Sequence, residues 1–243
     1  RLAIYLNECR RMGIKVLAPD VNESIGVFAA AGEDIRFGLG AIRNVGKNVV
    51  SAIIDAREKK GNFTDFNDFI SKVNAQACTK RVVEALIKAG AFDSMGHNRR
   101  ALLAIHESAV EAASVTKKNE SLGQVDLFAS LDEDTTSIVI PDLPEWTKRD
   151  KLAHEREMLG LYVSDHPLSG QEAILGRNSD SSIAQLLARS EVPDGEILTL
   201  AGLITTINHR VARNSGNPYA AVTVEDFSGE IQVMFMGKTY AQY

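Results

Sequence analysis

The 243-residue chain is 44% apolar and carries a net charge of −5, which is enough apolar material for one large domain or two to three small ones. No stretch approaches 18 uncharged apolar residues and no signal-peptide pattern opens the chain, so we expect a cytoplasmic protein without a transmembrane helix. The charge is uneven, because residues 1–118 carry 18 Lys/Arg against 13 Asp/Glu and residues 119–243 carry 9 against 19. The front half could therefore meet an anionic partner such as nucleic acid, whereas residues 119–147, which include no basic residue, are poorly suited to one. Residue 1 is Arg rather than Met, which indicates a piece of a longer polypeptide.

Apolar spacing predicts a succession of short helices in the front half of the chain. We expect a first helix that ends at Gly13, a short extended run at 14–17, and further helices at about 49–59, 65–73, 79–89 and 98–115. Asp65 and Thr79 are the residue types that cap helix N-termini. Cys9 and Cys78 lie far apart and lack a second ligand at metal-binding spacing, so we expect reduced thiols.

The second half of the chain changes character. Residues 116–147 lose periodicity and carry Gly and Pro, which predicts a linker. Helices are then expected at 148–161 and 181–190, and strands at 197–207, 219–224 and 230–235. A basic loop at 209–217 and a tight turn at 226–229 would join these strands. We therefore expect the opening of a small β-barrel, with an incomplete sheet and an exposed edge.

The linker contains a pentapeptide with two large apolar side chains, formed by Gln124, Val125, Asp126, Leu127 and Phe128. Apolar side chains outside a periodic segment usually need something to cover them. Burial of a Leu and a Phe contributes roughly 1.5–3 kcal/mol each, and the Gln amide can both donate and accept hydrogen bonds. The pattern predicts a peptide that docks in a groove on a partner protein.

Two tight turns between predicted helices, residues 42–48 and 87–92, resemble the helix-hairpin-helix motif; we call them the first and the second hairpin. Glycine in such a turn lets backbone N–H groups approach a phosphate at a helix N-terminus, and these contacts position a duplex without reading its sequence. Candidate contacts to duplex DNA are Arg43, Asn44, Val45, Gly46, Lys47, Asn48, Gly90, Asn98, Arg99 and Arg100. Asn44 stands where the first hairpin glycine is usual, and Gly90 is flanked by alanines. The alternative is that both turns are only corners of a helical bundle.

The first hairpin also invites comparison with a nucleotide-binding loop, because residues 41–48 end in Gly46-Lys47. Ala41 replaces the first glycine of that motif and Asn48 replaces the hydroxyl that would bind Mg²⁺, so the match fails. The segment that begins at His154 lacks the second histidine of a zinc-protease helix, since Met158 stands there. We find no catalytic residues and no metal site, and we expect no cofactor in this chain.

Longer segments resemble the alpha subunits of bacterial DNA polymerase III, the C-family replicative polymerases. They are Tyr5–Arg10 with Gly13–Asn22, Ile42–Asn48, Leu86–Asp93 and Glu157–Leu168. The last of these is the most specific, because a chance match of that length is improbable. The resemblance covers essentially the whole chain.

This resemblance implies a mainly α fold with a small C-terminal β part. The implied order is the end of a fingers domain (1–34), a tandem helix-hairpin-helix domain that binds duplex DNA (35–115), a linker with a sliding-clamp peptide (116–147), a helical connector (148–194) and the first part of an OB-fold (195–243). The polymerising aspartates of the family, with their Mg²⁺, belong to a palm domain upstream. The parent protein would be a DNA-directed DNA polymerase, whereas this part would be inactive alone.

The resemblance also implies partners. The peptide 124–128 would bind the bacterial sliding clamp, with Leu127 and Phe128 in apolar pockets. Single-stranded DNA would meet the first barrel loop, at His209, Arg210, Arg213 and Asn214. Other replisome subunits are further expected partners, and a membrane is not.

Two other classes remain open at this point. A free-standing DNA-repair adaptor with tandem hairpins and an OB-fold would bind DNA but not a clamp. An OB-fold RNA binder would prefer RNA and would not bind duplex DNA. Binding to a clamp, and the choice between DNA and RNA, separate these classes from the polymerase.

Overall fold

The computed structural model describes residues 5, 8–9, 12–121 and 138–242, which form two compact units. One unit comprises Ile14–Ser164, and the other combines the described residues up to Gly13 with those from Asp165 onward. Within these ranges no helix is long and apolar enough to cross a membrane.

The unit Ile14–Ser164 begins with three very short strands, β1 (Val16–Leu17), β2 (Ala29–Ala31) and β3 (Asp34–Arg36). Strand β3 lies in the middle, parallel to β1 and antiparallel to β2. The predicted division between residues 34 and 35 therefore falls inside a strand. The sequence analysis identified only the first extended run, because strands of two or three residues carry no alternating pattern.

Five helices follow these strands within the described part of this unit. They are α1 (Lys47–Lys60), α2 (Phe66–Lys72), α3 (Lys80–Ala89), α4 (Arg99–Ser121) and α5 (Lys148–Leu159), with 3₁₀ turns at Leu39–Ala41 and Asp93–Met95. The predicted caps are confirmed: the Asp65 carboxylate accepts from Asp68 N at 2.9 Å, and the Thr79 hydroxyl accepts from Val82 N at 3.3 Å.

Helix α4 is longer than predicted and ends at Ser121 rather than Val115. The Lys117 ammonium explains part of the extension, because it donates to the carbonyls of Ile70 and Val73 at the end of α2. Those carbonyls have no partner within their own helix. A contact across the bundle thus keeps the chain helical after the apolar pattern has faded.

The core of this unit is built on edge-to-face aromatic rings. Phe69 packs against Phe63 and Phe92 with centroid distances of 5.0 and 4.8 Å, and Phe66 lies 5.3 Å from Phe92. All four side chains are buried. Such pairs add about 0.5–1.5 kcal/mol each beyond the burial of their area, so the aromatic cluster fixes α2 against the second hairpin.

The other unit ends in an antiparallel sheet. Two short helices, α6 (Glu172–Arg177) and α7 (Ile183–Leu187), precede strands β4 (Leu203–Val211), β5 (Pro218–Glu225) and β6 (Glu230–Met236), and α8 (Gly237–Gln242) follows. Strand β5 is central. The prediction of a mainly α chain with a small C-terminal β part is confirmed, whereas the assignment of this sheet to an incomplete OB-fold barrel stays a prediction.

The tight turn predicted at residues 226–229 is present and ties the sheet to α7. Asp226 N donates to Gly229 O at 3.0 Å, and Asp226 Oδ1 accepts from Ser228 N at 2.7 Å. The other oxygen, Oδ2, accepts from Ile183 N at 2.8 Å. One carboxylate thus closes the turn and satisfies a free N–H at the start of a helix.

Candidate nucleic-acid interface

The first hairpin connects the 3₁₀ turn Leu39–Ala41 to helix α1, and its side chains sort by burial. Ile42 and Val45 are 2% and 5% exposed, while the other five residues of the hairpin face solvent. The Val45 N–H donates to Ile42 O at 3.1 Å. The prediction that Val45 contacts DNA is therefore wrong, because its side chain is in the core and its amide is already bonded.

Asn44 explains how the hairpin turns without its usual glycine. Its backbone φ is +69°, and it is the one non-glycine residue at positive φ in the described part of the chain. Asparagine tolerates this left-handed conformation better than most residues. Asn44 thus keeps the left-handed backbone conformation that glycine usually provides in this motif, and its polar side-chain amide lies at the tip of the hairpin.

Helix α1 begins at this hairpin with its N-terminus uncovered. Gly46 is the N-cap residue, no side chain caps the helix, and the first turn has no acidic residue. Val49 N and Val50 N both donate to Gly46 O, at 3.0 and 3.1 Å. The preceding amides, of Lys47 and Asn48, have no partner among the described residues. The helix dipole and these N–H groups make a ready site for an anion.

The basic side chains around this N-terminus are exposed. Arg43 and Lys47 face solvent and make no ion pair with any residue that the structure describes. The hairpin that carries them is held from behind, since Arg43 N donates to Met158 O at the end of α5 at 2.9 Å, and Gly40 N donates to Gly26 O at 3.0 Å. The backbone is fixed by these bonds while both cationic groups remain available.

The second hairpin turns at Gly90, which has φ +83° and donates its N–H to Ile87 O at 3.0 Å. A Cβ at this position would lie 2.2 Å from Arg99 Nη2. Glycine is therefore required twice, for the left-handed backbone and for the close approach of the guanidinium. No phosphate contact of Gly90 follows from this arrangement, because Arg99 covers its Cα.

Arg99 is not available to DNA, and its predicted role as a phosphate ligand is wrong. The side chain is 1% exposed, because it forms a two-pronged pair with Asp93, Nε–Oδ1 at 2.8 Å and Nη2–Oδ2 at 2.6 Å. Its Nη1 lies 2.9 Å from Oε1 of Glu155, which is fully buried. Burial alone would lower the pKa of Arg99, but the hydrogen bonds and charge of Asp93, and then of Glu155, raise it.

Glu155 extends this buried cluster to the segment after α5. Its Oε2 accepts from Val163 N at 3.2 Å and from Ser164 N at 3.0 Å. The cluster of Asp93, Arg99 and Glu155 therefore joins the second hairpin, the start of α4 and the chain beyond α5. The Arg99 guanidinium lies between two carboxylates, the partly exposed one of Asp93 and the fully buried one of Glu155, and is not free to bind a ligand.

The N-terminus of α4 is closed, in contrast to that of α1. Asn98 Oδ1 accepts from Ala101 N at 2.7 Å, while its Nδ2 donates to Leu143 O. Glu145 fills the rest of the site, because its carboxylate accepts from Arg99 N at 2.9 Å and from Arg100 N at 3.2 Å. Of the residues predicted here to bind phosphate, only the exposed Arg100 side chain remains open, with Nη1 3.5 Å from Pro144 O.

The environment of Glu145 favours its charged form. Its carboxylate also accepts from Trp146 N at 2.8 Å. Burial would raise the pKa of Glu145, but the N–H groups of Arg99, Trp146 and Arg100, together with the charge of Lys151, lower it. The sequence analysis missed this residue, because Glu145 lies far from α4 along the chain and no local pattern indicates that it meets a helix N-terminus.

The residues proposed for single-stranded DNA are not all in a loop. Strand β4 continues to Val211, with Arg210 opposite Tyr219 and His209 opposite Ala220. Because adjacent strand residues face opposite sides of a sheet, His209 and Arg210 cannot share one surface. His209 contacts Tyr240, with Nδ1 3.2 Å from Oη. Arg213 and Asn214 lie in the connecting loop and are exposed.

The peptide 124–128 lies outside the described residues, between the end of α4 and residue 138. Among the described residues, no group of three or more His, Cys, Asp or Glu side chains could hold a metal ion.

Known proteins match both the region of the two hairpins and the chain as a whole. The helix-hairpin-helix motif family matches residues 13–102, which include both of them. The DNA polymerase III subunit alpha of Mycobacterium tuberculosis is 49% identical over the whole chain. The chain is homologous to one segment of DNA polymerase III subunit alpha. It spans 21% of the Mycobacterium subunit, and the subunits of Borreliella burgdorferi and Vibrio cholerae are each 33% identical, over 100% and 98% of the chain. The predicted resemblance is confirmed.

Proposed function

We propose that this chain holds duplex DNA through its first hairpin and serves as a non-catalytic part of a DNA-directed DNA polymerase. The observation that carries the proposal is the uncapped N-terminus of α1, with exposed Arg43 and Lys47 beside it. The homology to the polymerase subunits supports the same function. Chain synthesis, with its Mg²⁺, would reside outside this segment.

The first hairpin suits a phosphate for three reasons. The dipole of α1 places about half a positive charge at its N-terminus, two amides there have no partner among the described residues, and a lysine and an arginine can neutralise the anion. None of these groups distinguishes one base from another. We therefore expect affinity for duplex DNA that is independent of sequence and strongly dependent on salt.

The second hairpin would help to orient the unit on DNA and would supply little positive charge to the phosphates. The first amides of α4, the helix that follows this hairpin, already donate to Glu145, and the Arg99 side chain is buried. In this proposal the cluster around Arg99 sets the orientation of the two hairpins within the unit, while exposed Arg100 adds a weaker contact. The first hairpin is then the main duplex contact of this unit.

The decisive experiment places an internal carboxylate on the amides of α1. Gly46 has φ −79°, and a Cβ there would meet nothing within 4 Å, so Gly46→Asp should fold normally. Aspartate is a good N-cap, and its carboxylate would occupy the amides that a phosphate needs. We expect at least tenfold weaker duplex binding with unchanged or slightly raised stability. Equal binding by this variant and the wild type would refute the proposed site.

A second measurement tests the cations. Lys47→Ala should weaken binding to all duplex sequences alike and make the salt slope shallower by about one. Lys59→Ala is the matched control, because Lys59 is exposed at the far end of the same helix. A change of similar size in both variants would mean that the effect is one of net charge alone.

We further propose that the peptide 124–128 tethers the polymerase to a sliding clamp. Support comes from the two apolar side chains in a stretch without basic residues and from the homology to polymerase subunits. A tether raises the local concentration of the enzyme on DNA without any new contact to DNA. Leu127→Ala with Phe128→Ala should cost roughly 3–5 kcal/mol, a hundredfold or more in affinity for a bacterial clamp.

The control for the clamp experiment is Val125→Ala, which changes only the spacer. If the wild type does not bind a clamp, or the double variant binds equally well, a DNA-binding adaptor without a clamp becomes the better description. Other replisome subunits would then not be expected partners.

The loop between β4 and β5 is a weaker candidate for single-stranded DNA. Arg213 and Asn214 are exposed there, and OB-folds commonly bind single strands at such loops. Arg213→Ala should weaken binding to a single-stranded oligonucleotide and leave duplex binding unchanged. Preference for RNA over DNA in the same assay would favour an RNA-binding OB-fold instead.

A further inference from the structure

The segment 138–147, which we call the strap, crosses the surface of the helical unit without forming a strand with it. Side chains of the unit hold its backbone instead. Asn67 Nδ2 donates to Ile138 O at 3.0 Å, and Asn98 Nδ2 donates to Leu143 O. Near its end the Trp146 ring lies 4.3 Å from the His154 ring on α5.

The strap delivers one carboxylate to the N-terminus of α4. Glu145 binds the amides of Arg99 and Arg100, which are the first two of this 23-residue helix. Backbone amides at a helix start bind carboxylates and phosphates with the same geometry and the same dipole. Glu145 therefore occupies the position that a DNA phosphate would take at a second hairpin. It is an anion supplied by the chain itself.

The two helix N-termini thus differ in whether an internal anion covers their first amides. At α1 the amides are uncovered, and at α4 an internal anion covers them. Arg100 remains exposed beside the covered site, and the charge of Lys151 acts on Glu145. If Glu145 were withdrawn, α4 would offer a phosphate site with the same components as α1, namely amides, dipole and an exposed cation.

We propose that Glu145 competes with DNA phosphate for the N-terminus of α4. While the strap is docked, duplex DNA engages the first hairpin alone. Release of Glu145 opens a second phosphate site, so the docked strap acts as an autoinhibitory contact within the unit Ile14–Ser164. This inference rests on the proposed binding of duplex DNA by the first hairpin.

The test compares Glu145→Gln with Asp142→Asn. Asp142 is exposed in the same strap, so both variants remove one negative charge, but only the first concerns the amides of α4. A fluorescent duplex of mixed sequence is titrated with each protein at several salt concentrations. The neutral Gln amide competes with phosphate less well than a carboxylate does. We therefore expect Glu145→Gln to bind about three- to tenfold more tightly, with a salt slope steeper by about 0.9 for one added phosphate contact. Asp142→Asn should keep the wild-type slope.

A second readout keeps the test decisive if the strap loosens the fold. The amide resonances of Arg99 and Arg100 are followed by ¹⁵N NMR during titration with inorganic phosphate and then with the duplex. In Glu145→Gln they should shift saturably, and in the wild type they should not. Unchanged resonances in the variant, or equal slopes for the two variants, would overturn the inference.

The outcomes also separate this inference from the proposed function. Duplex binding that is lost in Gly46→Asp but unaffected by Glu145→Gln would retain the first hairpin and remove the competition. Binding by Glu145→Gln where the wild type does not bind would support the competition and show that the first hairpin alone is insufficient. If neither protein binds duplex, both proposals fail.

Discussion

The buried guanidinium of Arg99 allows a stringent test of the packing described above. We consider Arg99→Met, which keeps the length of the side chain and removes its charge. In the wild type the guanidinium bonds Asp93 through two nitrogens and lies 2.9 Å from Glu155, whose side chain is fully buried. The variant leaves the Glu155 carboxylate in the core without a cation.

The expected cost follows from that orphaned charge. Breaking a buried ion pair by removing one partner costs about 3–5 kcal/mol, because an uncompensated charge stays buried. Most domains have only about 5–15 kcal/mol of total stability. With an m-value near 2 kcal/mol per M urea, the unfolding midpoint should fall by roughly 1.5–2.5 M.

Glu155→Gln should reverse much of this loss when it is combined with Arg99→Met. The glutamine side chain carries no charge, so no buried charge is left unpaired. Its oxygen can still accept hydrogen bonds from Val163 N and Ser164 N, as the Glu155 carboxylate does in the wild type. We expect the double variant to regain about 2 kcal/mol relative to Arg99→Met. A loss of stability that the second change does not relieve would point to poor packing of methionine rather than to charge.

The assay can use the single tryptophan of the chain. Trp146 contacts His154 within the same unit, so its fluorescence during urea unfolding reports on the part that contains Arg99. Arg100→Met is the matched control, since Arg100 is the next residue and is exposed, and it should change stability by less than about 0.5 kcal/mol. Equal midpoints for the two variants would refute the reasoning.

Three other predictions concern single positions. Gly90→Ala should destabilise by about 2 kcal/mol more than Gly96→Ala, because both residues have φ near +80° but only the first would place a Cβ 2.2 Å from Arg99; urea unfolding measures the difference. Burial raises the pKa of Cys78 to about 11, against a smaller opposing effect of Lys117, so a thiol reagent at pH 8 should modify Cys9 well before Cys78, as peptide mass analysis would show. The lowered pKa of Glu145 means that its stabilising contribution is present above its ordinary value of 4.5 and is lost as the pH falls further; Glu145→Gln should therefore lose less stability than the wild type on acidification.

Local signals explain what could be predicted from the sequence. The starts of α2 and α3 were predicted from Asp65 and Thr79, because a cap is a contact between residues three apart. The three C-terminal strands were also predicted, from alternation and from the turn at Asp226. The start of β4 was placed too early, since residues 197–202 have apolar alternation without a strand partner.

Long-range contacts account for what the sequence could not predict. Arg99 and Arg100 are adjacent and chemically identical, yet one is buried and the other exposed. Successive helix residues are rotated by about 100°, and only the packing of α5 decides which of the two meets Glu155. The role of Glu145 depends likewise on the path of the strap back to α4, which no local pattern encodes.

The hydrogen bond from Arg43 to Met158 has a consequence for synthesis of the chain on the ribosome. The first hairpin leaves the ribosome long before α5, which holds it from behind. At about 5–20 residues per second, this support arrives on the order of ten seconds later. Until then the first hairpin lacks this hydrogen bond to its backbone. Nascent chains halted before Met158 should therefore be digested by protease at the first hairpin, and chains halted well after it should be protected.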